Sequence, residues 1–136
     1  MAGNWSARII GGASVGVGIL HFVRQDFFEA MVPRWFPDPK AANLLSGGAE
    51  IALGLAMFPR RTRRRAAWGL LGLIVAVYPA NIDMYLHDVD IRPDQDGRIQ
   101  RVEGSESART RNLLRLPLQF VFAWLVWRHT REETAR

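Results

Sequence analysis

The chain contains no cysteine, which excludes disulfides, thiolate nucleophiles and cysteine-ligated metal or iron–sulfur centres. Any redox role therefore needs a bound cofactor or a partner. Lysine is nearly absent too. Lys40 is the only one, so the formal net charge of +5 over 136 residues comes almost wholly from arginine. No dinucleotide fingerprint, haem-attachment motif, His-x-x-His or Glu-x-x-His spacing is present, so neither a self-sufficient oxidoreductase nor a metal site is expected. The length is that of one domain.

Charge is also missing from long stretches. Residues 9–23 and 66–82 hold no Asp, Glu, Lys or Arg, and residues 41–58 are interrupted in their apolar character only by Asn43, Ser46 and Glu50. A soluble bundle helix carries an apolar stripe opposite a charged face, whereas residues 66–78 have no charged position on any face. So short a chain cannot surround such a helix with protein, so lipid must supply the burial. The expectation is an all-α, membrane-embedded bundle of four transmembrane helices over residues 9–28, 41–58, 66–86 and 113–128, running up-down-up-down. Residues 9–23 alone span about 22 Å of a roughly 30 Å hydrocarbon layer. The amphipathic stretch 26–32 would extend or cap that first helix, and a signal peptide is the rival reading of it.

The connections fix the orientation. Pro33, Pro37 and Pro39 forbid continuous helix over residues 32–39, where Trp35 and Phe36 suit the bilayer interface. Residues 60–65 carry five arginines, and a short loop of that charge should stay in the cytoplasm, which places both termini inside. Contact with nucleic acid or another anionic partner is the rival reading of this run, but its arginines end apolar blocks rather than cover a soluble face, so no nucleic acid is expected. Residues 87–111, polar and turn-prone at Pro93 and Asp96-Gly97, read as a long outer loop.

Ionisable and amide side chains inside membrane helices cost about 2.5–3.5 kcal/mol each for charged types and default to the bundle interior. His21, Glu50, Asn81, Arg115 and Gln119 come to lie roughly 5–15 Å below the outer surface, one polar layer fed by four helices. Ser14, Gly18, His21 and Gln25 share one face of the first helix; Ser46, Glu50 and Gly54 share one face of the second. Small residues there invite close packing. Asp83 and His87, four apart, can pair near the outer surface. Two readings of the layer remain open. In one, Glu50 is neutralised by Arg115 or His21 and the network fixes helix register. In the other, a quinone or lipid headgroup accepts hydrogen bonds from His21, Asn81, Gln119 or Arg115, with Phe22, Tyr78 and Phe120 lining a ring-shaped cavity.

The motifs Gly18-Ile-Leu-His21-Phe22, Asp26-Phe27-Phe28, Val32-Pro33 and Trp35 are followed by Ser46-Gly47-Gly48-Ala49-Glu50 with Gly54. Arg65-Ala-Ala-Trp68-Gly69, Val77-Tyr-Pro79-Ala80-Asn81-Ile82 and Leu114-Arg115-Leu116-Pro117-Leu118-Gln119 complete the series. In order and spacing these resemble the DoxX family of small bacterial integral membrane proteins. The resemblance implies a four-helix membrane bundle serving as a subunit or anchor for a redox partner, in a family named for a subunit of a thiosulfate:quinone oxidoreductase. No motif here identifies the thiosulfate-oxidising subunit.

The expected function is thus a multi-pass protein of the bacterial plasma membrane that binds quinone or lipid in an outer-leaflet polar pocket and associates with a redox protein. The alternative is a non-catalytic scaffold whose polar residues are structural and whose arginines meet anionic lipid or an acidic partner. A transporter is disfavoured, since no inverted repeat or pair of broken helices is present, unless the protein forms a homo-oligomer.

Overall fold

Proline and aspartate set the helix boundaries. Asp38 accepts a hydrogen bond from the Ala41 amide at 3.0 Å and Pro39 takes the first helical position, so a helix starts there rather than at residue 41. Pro59 caps the start of the next helix, and the one behind it has ended at Ala56. In a computed structural model that describes residues 2–132, five α-helices result: α1 Ala2–Val23, α2 Gln25–Met31, α3 Pro39–Ala56, α4 Arg60–Leu86 and α5 Glu106–Arg128. A 3-10 turn, His129–Arg131, follows α5. The protein is mostly helical, as the all-α expectation holds, with one addition described below.

Two expectations about connections are corrected. The five arginines at residues 60–65 are the opening turns of α4, not a loop, because nothing after Pro59 opposes helix in a run of arginine and one threonine. The Thr62 hydroxyl donates to the Ala56 carbonyl at 2.7 Å, tying the turn to the end of α3. Residues 87–111 are not simply loop. Strands β1 Asp90–Pro93 and β2 Ile99–Val102 pair antiparallel, Asp90 opposite Val102 and Pro93 opposite Ile99. Their turn is closed by the Asp94 carboxylate, which accepts from the amides of Asp96 and Arg98, and by Gly97 at φ +78°.

The long helices alternate in direction and pair as α1 on α3 and α4 on α5, with Leu53 of α3 set against Gly69 of α4. At one end the start of α1, the α3–α4 connection and the end of α5 come together around Ala7, Ile10, Met57, Ala66, Ala67, Leu70 and Val126. At the other end sits the hairpin. Arg101 on β2 donates to Asp83 at 2.6 Å and to the Val32 carbonyl at 3.3 Å, and the expected Asp83–His87 pair is present at 3.2 Å. Arg109 and Arg111 at the start of α5 hold Asp88 and Asp90. The Arg109 guanidinium keeps the Asp88 carboxyl below its ordinary value through that hydrogen bond.

Two helices, Asn4–Val23 and Arg60–Leu86, are long and apolar enough to cross a membrane, against four expected. The other two fall short for readable reasons. Within α3 lie Lys40, Asn43, Ser46 and Glu50, and α5 opens with a polar turn and carries Arg115, Pro117 and Gln119. Pro79 leaves the Val75 carbonyl without its helical donor, and one residue earlier the Ile74 carbonyl accepts from Gln119 at 3.2 Å.

Candidate functional site

The α1–α3 contact positions the site. His21 Nδ1 lies 2.6 Å from Asn43 Oδ1, and Asn43 Nδ2 donates to the His21 carbonyl at 3.0 Å. That second bond fixes which end of the amide faces the ring, so the proton of the first sits on Nδ1. His21 Nε2 is then left to face Glu50, whose Oε2 stands 3.3 Å away, at ion-pair distance but off hydrogen-bond alignment. Ser14 donates to the Glu50 carbonyl at 3.0 Å, and the His21 ring stacks on Phe28 of α2 with 3.9 Å between centroids. Asn43 is 2% exposed with both ends of its amide engaged.

Beside this cluster a cavity of about 500 Å³ opens between α1, α2, the residue 32–36 loop, α3 and α4. Its polar side chains are His21, Asn43, Ser46, Glu50 and Asn81; the rest of the wall is mostly apolar, including Val17, Leu73, Ala76, Val77 and Ala80. Trp35 and Leu45 also line it and are largely exposed, so the cavity reaches the apolar outer surface of the bundle.

Of the five residues singled out in the sequence, three line one cavity: His21, Glu50 and Asn81. Gln119 stands behind them, accepting from Asn81 Nδ2 at 2.5 Å. Arg115 is elsewhere. Its guanidinium points at Met84 Sδ, 3.4 Å away, so the neutralisation of Glu50 falls to His21 and not to Arg115. The aromatic wall also differs from expectation. Phe28, Trp35 and Phe36 line the cavity, while Tyr78 and Phe120 pack edge to face on each other and Phe120, like Phe22, is exposed. Asn43 was passed over because one amide in an apolar run looks like an interruption. Its place about two helical turns before Glu50, and so on the same face, level with His21 on an antiparallel neighbour, is the available signal.

A second polar cluster ties the opposite end. Arg63, 2% exposed, donates through Nε to the Met57 carbonyl and through Nη2 to the Phe58 carbonyl, both at 2.9 Å. Its Nη1 reaches Asn4 Oδ1 at 2.9 Å and Glu132 Oε2 at 3.1 Å. Glu132 also pairs with His129, whose other ring nitrogen meets the Ser6 hydroxyl at 2.9 Å. Burial raises the Glu132 carboxyl, but the hydrogen bonds from His129 and Arg63 outweigh that and hold it below the ordinary carboxylate range.

Among the described residues no group of three or more His, Cys, Asp and Glu is placed to hold a metal ion. A family described as a domain of unknown function (DUF8561) matches residues 10–130. No curated protein and no solved structure matches the chain.

Proposed function

The chain belongs to that family, DUF8561, and from this premise we propose that it is a multi-pass membrane protein whose outer-half cavity binds an amphiphile, a quinone-type ring or a lipid, as a subunit or anchor beside a redox partner. The observation that carries the reading is the cavity. It is large enough for a ring and the start of a tail, mostly apolar, and headed by His21, Glu50 and Asn81.

The surface favours the membrane. Only 28% and 17% of the two most apolar segments, in α1 and α4, are buried by protein, where a soluble core helix would be mostly covered. Ile9, Leu45, Val75, Leu118, Phe120 and Val121 stand exposed on all four long helices, and a water-facing surface rarely tolerates so continuous an apolar belt. We read α3 and α5 as spans as well, because each runs antiparallel beside an apolar partner and keeps its mid-helix polar groups, Asn43, Ser46 and Glu50 on α3 and Arg115 and Gln119 on α5, wholly or partly covered, with its exposed charges near the helix ends. Arg8, Arg60, Arg61, Arg64, Arg65, Arg128 and Arg131 gather at the end where α1 begins and α5 ends, which supports that end as cytoplasmic; the bacterial plasma membrane as the location comes from the likeness to DoxX proteins. The likeness to DoxX proteins belongs to this proposal and supplies its redox partner.

A scaffold without ligand is the second reading, favoured by how fully Asn43 and His21 satisfy each other. Native mass spectrometry of the detergent-purified protein, with extraction of copurifying small molecules, separates the two. A stoichiometric quinone or lipid that is lost in folded His21→Ala and Glu50→Gln variants supports the pocket. An empty protein whose variants only unfold rejects it in favour of the scaffold.

A further inference from the structure

Glu50 offers the cavity an acceptor that the protein leaves open. Oε2 is buried beside His21 without a hydrogen bond, and the accessible 21% of the side chain, in a residue that lines the cavity, leaves Oε1 as the oxygen a ligand can reach. Of the amide and ring donors nearby, His21 Nδ1 goes to Asn43, and Asn43 Nδ2 and Asn81 Nδ2 each give a hydrogen, to the His21 carbonyl and to Gln119; the Ser46 hydroxyl in the same wall can donate or accept, so the preference is set at Glu50, which as a carboxylate can only accept. Asn81 spends one amide hydrogen on Gln119, and its carbonyl oxygen is a further acceptor. At Glu50 a ligand carbonyl would set acceptor against acceptor, whereas a ligand hydroxyl supplies the donor the carboxylate lacks. Stacked His21 and Phe28, with Trp35 and Phe36 beyond, give flat aromatic walls suited to a ring.

We propose that the cavity selects a phenol-type ring with an apolar tail, its O–H donating to Glu50 Oε1. This rests on the pocket reading above and reverses the hydrogen-bond polarity expected from sequence. Of a hydroquinone and its quinone, the cavity favours the hydroquinone, since only the reduced form has a hydrogen to give.

The test titrates the full-length, detergent-purified protein with para-pentylphenol and with its methyl ether by calorimetry. The two probes share ring and tail and differ in the donor. The phenol is expected to bind at least about tenfold tighter, the worth of one hydrogen bond to a carboxylate. Glu50→Met is expected to bring the ratio of affinities near one; if that variant does not fold, the closer mimic Glu50→Gln must lower it. Ala80→Phe, which fills the wall of the cavity, is expected to weaken both probes, and unchanged binding there would place the site elsewhere and overturn the proposal. Equal affinities, or a tighter ether, in the unmodified protein overturn the donor preference while leaving the pocket intact. Binding of neither probe removes the pocket reading itself.

Discussion

Gly18 and Gly47 bring α1 and α3 so close that a Cβ on Gly18 would stand 2.7 Å from the Gly47 carbonyl oxygen. One heptad towards the other end, Gly11 and Gly54 repeat the contact, with a Cβ on Gly11 meeting the Gly54 carbonyl at 2.6 Å. The two pairs set the separation at which His21 can reach both Asn43 and Glu50, so the site depends on residues that have no side chain. Packing of this kind is what holds helices together where lipid removes the hydrophobic drive between them.

Gly18→Ala and Gly47→Ala should therefore each cost about 1–3 kcal/mol, the range for forcing a methyl into a closed contact. Gly12→Ala and Gly16→Ala, where nothing lies within 4 Å, should be neutral or gain about 0.5–1 kcal/mol through helix propensity. Thermal unfolding in detergent, followed by circular dichroism, compares the four. Equal effects at all four positions would mean that the close approach is not what stabilises the α1–α3 pair.

Arg63 is one of five neighbouring arginines and the only buried one; Arg60, Arg61, Arg64 and Arg65 are exposed. Its removal strands the Met57 and Phe58 carbonyls and breaks the link to Asn4 and Glu132. Arg63→Ala should destabilise by about 3 kcal/mol, in the range for breaking a buried ion pair from one side. Arg64→Ala should stay within roughly 0.5 kcal/mol. The same unfolding assay decides it, and similar losses in both variants would argue that the run acts through its summed charge instead.

That contrast shows where the sequence was readable. The apolar blocks, the His21 and Glu50 faces and the Asp83–His87 pair followed from helical period and spacing, because those depend on local geometry. Which arginine of a run turns inward depends on where the ends of three other segments arrive, and no local pattern encodes that. The hairpin was hidden for a similar reason. Its strands are four residues each and rich in Asp and Arg, and they are fixed by Arg101, Asp88 and Asp90 reaching helices elsewhere in the chain. Arg115 shows the opposite failure: depth alone placed it in the polar layer, while its direction took it to Met84.

Acid should loosen the Arg63–Glu132 clamp before the rest of the fold. The Glu132 carboxyl is held below its ordinary value in the folded protein, so its contribution is present above the unfolded-state value and is lost as pH falls through the folded one. Hydrogen exchange at residues 57–63 and 129–132 should quicken as pH drops below the ordinary carboxylate range, beyond the intrinsic pH effect on exchange. Glu132→Gln should show that fast exchange at neutral pH and little further change on acidification. Protection that stays constant across this window would mean that Glu132 does not gate the clamp.

The absence of cysteine makes orientation measurable without background, since a single introduced thiol is the only one in the chain. Asp96 at the hairpin turn and Arg64 at the start of α4 are both exposed and lie at opposite ends of the molecule; Val75, 71% exposed, lies between them on α4. In intact cells a membrane-impermeant maleimide should label Asp96→Cys and spare Arg64→Cys, with both labelled once the membrane is opened. If lipid covers Val75 as proposed, Val75→Cys should resist in either case and become reactive only when detergent or denaturant replaces the bilayer. The reverse pattern at residues 64 and 96 would invert the orientation and put the cavity in the inner leaflet. Rapid labelling of Val75→Cys in opened cells would place water against α4 and end the membrane reading.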